Sequence, residues 1–285
     1  VILGELVLGA LLAHVMWLAS RDAFGGYVFQ RRNYRDHLLP TAVGILLPLA
    51  AACVVAVATV VGLDRAVVLN WDTLGGTPGS SLAALCIGFG LLGLLDDMGG
   101  AGQSGGFRGH LRALFEGRLT TGALKLVGGP VIALAALAPL TAGGDRIGLL
   151  RDAALVCLAA NLANLFDRAP GRTTKVGAVA FVAIWATAAS SGQIAPAALV
   201  VGASLGLLVP DLREELMAGD AGSNALGAAL GQAVVVGVGE RWRWAVLAGL
   251  AALNLVSEQV SFSRVIDAVP PLRWADRLGA PHRPA

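Results

Sequence analysis

Ser81-Leu82-Ala83-Ala84-Leu85-Cys86-Ile87-Gly88-Phe89-Gly90-Leu91-Leu92-Gly93-Leu94-Leu95-Asp96-Asp97 is an apolar run closed by two adjacent carboxylates. The run has the composition of a helix buried in lipid. Two neighbouring carboxylates at a bilayer edge repel each other and are costly to desolvate, so ionisable groups at that depth point to function. A divalent cation or a cationic substrate partner keeps both charged. The plain alternative is a solvated helix end. Acids at a helix C-terminus oppose the macrodipole, however, so helix stability is not their purpose.

The rest of the chain has the same character. Its 285 residues are 56% hydrophobic and 14% charged, with a mean hydropathy of +0.71. A soluble domain carries about 25% charged residues. The expected fold is therefore all-α: a polytopic transmembrane helical bundle with no sizeable soluble domain. A single integral membrane domain covers 1–285, and 260–285 forms a short cytoplasmic amphipathic tail. Cys53, Cys86 and Cys157 sit far apart inside apolar stretches and read as small hydrophobes. The run opening at Val1 reads as a spanning helix, not a cleavable signal, because no small-residue cleavage site follows it.

Nine runs approach the ~20 apolar residues that a span needs. They are roughly 1–19, 41–62, 80–95, 122–142, 148–166, 175–191, 194–209, 222–238 and 242–259, with ten spans as the upper count. Gly and Ala are abundant in them, which permits close packing of membrane helices. Alternate connections hold Arg21, Arg31, Arg32, Arg35, then Arg108, Arg112, Arg118, then Arg168, Arg172, Lys175, then Arg213. The tail adds Arg264, Arg273, Arg277 and Arg283. The other side has Arg65, Arg146, Arg151, Arg241 and Arg243. This threefold bias puts the first set in the cytoplasm, the N-terminus outside and the C-terminus inside. The protein is expected in the plasma (cytoplasmic) membrane.

That orientation gathers the polar residues into one cytoplasmic layer: Asp96, Asp97, Asn161, Asn164, Asp167 and Asp220. The outer loops offer only Asp64, Asp72, Asp145 and Glu240, placed singly. Asn161, Asn164 and, less well, Asp167 share a helical face. They could be interhelical hydrogen-bonding groups, or oxygen ligands for a hard cation. Gly219-Asp220-Ala221-Gly222-Ser223 precedes an apolar helix that is expected to start near Ser223-Asn224. An Asp or Ser there can act as a cap, yet a Gly-rich turn at a helix N-terminus is also an anion site. The Gly-rich stretch 99–106 could drape over phosphates or be a plain linker. Arg108, His110, Arg112 and Arg118 fit positive-inside topology, whereas Lys125, a few residues into a helix, suits a phosphate. Arg31-Arg32-Asn33-Tyr34-Arg35-Asp36-His37 is a basic cluster suited to anionic head groups or a nucleotide. His14 reads as an interhelical hydrogen-bonding group, and His282 as a solvated tail residue.

Three segments, in this order and on this side, resemble the polyprenyl-phosphate N-acetylhexosamine-1-phosphate transferases. Leu94-Leu95-Asp96-Asp97 matches the family's aspartate pair. Asn161-Leu162-Ala163-Asn164-Leu165-Phe166-Asp167 matches its Asn-x-x-Asn-x-x-Asp segment. Met217-Ala218-Gly219-Asp220-Ala221-Gly222-Ser223-Asn224-Ala225-Leu226-Gly227 matches its Gly-Asp-x-Gly-Ser loop. Asn33-Tyr34-Arg35 through Pro40 and Gly44 resembles its N-terminal basic segment. The resemblance implies transfer of a sugar 1-phosphate from a nucleotide-diphospho-sugar, such as a UDP-linked N-acetylhexosamine, to polyprenyl (undecaprenyl) phosphate. A nucleoside monophosphate leaves, and the product serves cell-wall and envelope polysaccharide biosynthesis, including peptidoglycan. It also implies Mg²⁺, with Mn²⁺ as a substitute, held by Asp220 with Asn164 nearby. Asp96 and Asp97 would deprotonate or position the lipid phosphate. Arg35 and Lys125 would contact phosphate, and Asn161, Asp167 and Met217 would face the bound donor. Homodimers are common in the family, and no nucleic acid partner is implied.

Three positions depart from the family pattern. Pro170 stands where a second Asp contributes to nucleotide binding. Met217 replaces an aromatic residue able to stack on uracil. The His-rich loop near the C-terminus is replaced by Ser257-Glu258-Gln259-Val260-Ser261-Phe262-Ser263-Arg264. Two other readings are a non-catalytic paralogue that binds or carries a polyprenyl-phosphate lipid, and a small-solute transporter. The single acidic layer, away from the bilayer midplane, argues against transport. The signatures of CDP-alcohol transferases and of aromatic prenyltransferases are absent.

Overall fold

The computed structural model describes residues 1–61, 77–99 and 120–281. Among these, eleven α-helices follow in order. They are α1 (Ile2–Phe24), α2 (Leu46–Val61), α3 (Pro78–Gly99), α4 (Thr121–Leu137), α5 (Arg146–Phe166), α6 (Arg172–Thr187), α7 (Ser191–Leu212), α8 (Gly219–Gly237), α9 (Glu240–Ser257), α10 (Phe262–Ala268) and α11 (Pro270–Arg277). The Gly-rich stretch after Gly99 and Asp64, Arg65, Asp72, Arg108, His110, Arg112, Arg118, His282 and Arg283 lie outside the described residues.

Each of the nine apolar runs falls on one of α1–α9. Five helices are long and apolar enough to cross a membrane: α1, α3, α4 with its 3₁₀ extension to Leu140, α5 and α7. A sixth is reached if α9 and α10, bent by 90°, form one broken span. The expected count of nine exceeds this for local reasons. Helices α2 and α6 have 16 residues each, about 24 Å against a hydrocarbon core of about 30 Å. Helix α8 carries Asp220, Asn224 and Gln232, and α9 opens on Glu240-Arg241-Trp242-Arg243.

The all-α expectation needs one small amendment. Strands β1 (Gln30–Arg32) and β2 (Leu38–Pro40) form an antiparallel hairpin, with Arg31 opposite Leu39. Its turn contains Asp36 at φ 65°. The Asn33 carboxamide accepts from the Arg35 and His37 amides at 2.9 and 3.0 Å, the local bonding that favours Asn in turns.

Small residues set the packing. Gly9 of α1 and Gly202 of α7 let the two helices approach backbone to backbone, since a Cβ on Gly202 would strike the Leu6 carbonyl. His14 Nδ1 lies 3.2 Å from the Gly206 carbonyl in the same contact, the interhelical role expected of it. The outer face of α1 exposes Leu3, Val7, Leu11, Val15 and Leu18, and α9 buries no residue. Water-facing helices carry polar residues on such a face, so this apolar exterior supports a membrane protein.

Opposite ends of the bundle hold different charges. At one end Arg151 pairs with Asp152 at 2.8 Å and Glu240 at 3.0 Å, and Arg243 reaches Asp152 at 2.7 Å. These arginines are neutralised within the fold. The other end collects the C-termini of α3, α5 and α7 and the N-termini of α4, α6 and α8. The candidate site lies there.

Candidate functional site

Lys125, in the first turns of α4, organises this end. Its ammonium donates to Asp96 Oδ2 at 2.6 Å and also to Asp220 Oδ2. The three side chains are a fifth to a quarter exposed, so the group opens towards solvent while its stems are buried. Thr120 caps α4 by accepting from the Ala123 amide at 3.1 Å, which fixes the height of Lys125.

Asp97 has a different job from its neighbour. Its two carboxylate oxygens accept from the backbone amides of Asp220 and Ala221, each at 3.0 Å. A carboxylate from α3 thus satisfies the first free amides of α8 and complements its positive end. This explains why α8 begins at Gly219, four residues before the expected start. Gly219 takes φ +68°, and a Cβ there would press on the Asp97 carboxylate. Gly93 is needed one turn earlier, where any Cβ would overlap the Asp220 carbonyl. The adjacent acids therefore divide the work: Asp96 faces the ammonium, and Asp97 holds the helix that presents Asp220.

Asn164, from the last turn of α5, donates to Asn224 Oδ1 at 3.3 Å and lies within hydrogen-bonding reach of Asp220. Asp96 and Asp220 meet at the Lys125 ammonium, and Asn164 stands beside Asp220 as a hydrogen-bond donor. Carboxylate oxygens are the donor class that Mg²⁺ takes, but here the Lys125 ammonium engages one oxygen of each acid. Mg²⁺ is commonly held by one or two carboxylates, with substrate phosphates completing its shell. Among the described residues there is no group of three or more His, Cys, Asp or Glu side chains able to hold a metal by itself.

The other site residues read from sequence go elsewhere. Asn161 donates to Asn254 Oδ1 of α9 at 2.6 Å, the interhelical alternative open to it. Arg35 pairs with Glu214 at 3.4 Å. Met217 is held by its backbone: its amide donates to the Pro40 carbonyl at 2.7 Å, and its carbonyl accepts from Val43 at 3.3 Å. Asp167 caps the end of α5 and receives the Thr173 hydroxyl at 3.4 Å. Burial raises its carboxyl well above the ordinary 3.8, and the charges of Asp211, Asp220 and Asp97 add to the rise.

Several important residues escaped the sequence reading. Glu214, at φ 58° and nearly buried, receives Tyr34 Oη at 2.7 Å and Asn33 Nδ2 at 2.8 Å besides Arg35. Burial pushes its carboxyl up, but those hydrogen bonds and the Arg35 guanidinium outweigh this and hold it below the ordinary 4.5. Arg172 forms a buried bidentate pair with Asp276 at 2.7 and 2.9 Å, which ties the tail to α6. Phe262 stacks on Phe166 with centroids 5.1 Å apart, beside Asp167. The basic cluster Arg31-Arg32-Asn33-Tyr34-Arg35-Asp36-His37 was visible in sequence, but nothing local marked Glu214 as its partner. The chain matches no protein-family model and no curated protein.

Proposed function

We propose that this protein is a membrane-embedded phospho-sugar transferase. It would move a sugar 1-phosphate from a nucleotide-diphospho-sugar to a polyprenyl phosphate at the cytoplasmic face. The observation that carries this reading is the convergence of Asp96, Asp220 and Lys125 at one end of the apolar bundle. Lys125 lies 29 residues from Asp96 and 95 residues from Asp220 in sequence, and the resemblance implies a functional role for each of the three. The finer topology belongs to the same proposal: nine spans, the N-terminus outside, and the site in the cytoplasm.

In this reading an acceptor phosphate oxygen forms a bond to the phosphorus that carries the sugar. The phosphoanhydride bond breaks, and its electron pair leaves with the nucleoside monophosphate. Bound Mg²⁺ supplies charge neutralisation to the diphosphate. Lys125 holds a phosphoryl oxygen with the ammonium that otherwise spans the two acids. Asp96, released from Lys125, accepts the acceptor's proton or fixes its orientation. Asp220 and Asn164 present oxygen to the metal, and Asp97 is a positioning residue acting through the start of α8.

A second reading is non-catalytic binding of polyprenyl phosphate. The pairing of Lys125 with both acids favours it, because it leaves less charge free for a metal. The test uses purified protein with Mg²⁺, undecaprenyl phosphate and a panel of nucleotide sugars. Release of nucleoside monophosphate that disappears in Asp220→Ala and Asp96→Asn is the expected result. Retained lipid binding with no turnover of any donor would overturn the catalytic reading.

A further inference from the structure

A second polar pocket lies between α2, α6, α7 and α8, separate from the Lys125 cluster. Its polar lining is Asp167, Asp211, Thr173, Thr174, Ser204 and Ser223, set among leucines. The cavity is on the order of one water molecule in size. No basic side chain lines it. Lys175 lies near enough for its charge to act on Asp211, while its Nζ donates to the Asp276 and Leu278 carbonyls at 2.7 Å each.

The hydrogen bonds within the pocket leave an acceptor surplus. Asp211 Oδ2 accepts from the Gly171 amide at 2.8 Å, and Asp167 Oδ1 from Thr173 at 3.4 Å. Thr174 and Ser204 share one hydrogen bond at 2.7 Å. Ser223 is 1% exposed, and its hydroxyl has no partner although it lines the cavity. A buried hydroxyl without a partner normally signals something that completes it. Two carboxylates and several hydroxyls form an oxygen-only set, which selects a hard cation over a soft one. Mg²⁺ demands strict octahedral geometry and keeps several waters, and this cavity has no room for them. Cations that shed water more readily suit it better.

We propose that Asp167, Asp211 and Ser223, helped by the neighbouring hydroxyls, bind one small, largely dehydrated hard cation of the Na⁺ or Ca²⁺ class. This assigns Asp167 to a cation and not to the donor. The bound ion would tie the C-termini of α5 and α7 to the first turn of α8, next to Asp220. The inference stands independently of the proposed transferase activity.

The test is equilibrium binding of ²²Na⁺ and, separately, ⁴⁵Ca²⁺ to the purified full chain in nanodiscs, with N-methyl-D-glucamine as the inert cation. One of the two is expected to bind saturably at one ion per chain. Asp211→Asn should weaken that binding at least tenfold and Ser223→Ala severalfold, while Glu240→Gln, at the opposite end of the bundle, leaves it unchanged. Absence of saturable binding of both ions to the unmodified chain would overturn the proposal, and it would leave the pocket to a water molecule. Equal binding by Asp211→Asn, or by Ser223→Ala should Asp211→Asn misfold, would also overturn it.

Discussion

Lys125 carries the electrostatics of the candidate site. Its ammonium is shared by Asp96 and Asp220, so replacing it leaves two facing carboxylates without their counter-charge. Removing one partner of a fully buried pair costs about 3–5 kcal/mol. These side chains are a fifth to a quarter exposed, and solvent screening lowers the figure to about 1–3 kcal/mol. Lys125→Met should therefore lower the apparent thermal midpoint by several degrees. The same substitution should sharpen the response to Mg²⁺, because the ion and the ammonium compete for the same oxygens. Thermal scans with and without Mg²⁺ check this: the variant should gain more from the ion than the unmodified protein does. An equal gain in both would mean that the ion binds elsewhere. Asp96 and Asp97 illustrate how much one residue can say in sequence. Their cost at a membrane edge was legible, because desolvation and repulsion depend only on type and adjacency. Their separate roles were not, because these depend on which neighbouring helix each carboxylate meets.

Two elements are each fastened at the site end in part by one buried carboxylate, and each yields a prediction. The β1–β2 hairpin is anchored through Asn33, Tyr34 and Arg35 to Glu214. Glu214 has its folded pKa below the ordinary 4.5. A depressed carboxyl contributes stability that is fully present above its unfolded value. That stability is lost as pH falls through the lower, folded value. The hairpin should stay docked at neutral pH and loosen only below about pH 4.5. Glu214→Gln should loosen it at all pH values. Losing charge-assisted hydrogen bonds worth about 1.5 kcal/mol should speed hairpin amide exchange roughly tenfold. The tail is held differently. Arg172 and Asp276 are both almost fully buried and bonded through two parallel contacts. Asp276→Ala strands a buried guanidinium, a loss of about 3–5 kcal/mol. Limited proteolysis should then cut between Ser257 and Phe262 while α1–α8 remain resistant. Uniform loss of resistance would show that the pair supports the whole bundle. Neither anchor could be read from sequence, since the partners lie 179 and 104 residues apart. The tail's amphipathic character was legible, but what it docks against was not.

For the whole molecule, apolar runs located α1–α9 within about five residues at each end, because burial in lipid leaves a compositional trace that needs no partner. Span length was less legible. Apolar runs merge with the loops beside them, and capping contacts such as Asp97 on α8 move a helix start by a full turn. The sidedness can be argued further. Helices α5 and α7 have 21 and 22 residues, about 32 Å each at 1.5 Å per residue. That length matches the hydrocarbon core of about 30 Å. The Arg151–Glu240 pair marks one end of the bundle, and the Lys125–Asp220 pair marks the other. At the first end Arg151 and Arg243 pair with Asp152 and Glu240. The site end pairs its basic residues in the same way, Lys125 with Asp96 and Asp220 and Arg172 with Asp276. The proposed cytoplasmic site therefore rests on the number of Lys and Arg residues in alternate connections, which neighbouring acids change little. In a background with Cys53, Cys86 and Cys157 replaced by Ala, Arg168→Cys and Arg213→Cys should resist a membrane-impermeant maleimide in intact cells. Arg241→Cys, next to Glu240, should react. All three should react once the membrane is opened. Labelling of Arg168→Cys and Arg241→Cys from the same side would break the assignment of opposite ends to opposite faces. It would also remove the cytoplasmic location that the proposed transferase activity requires.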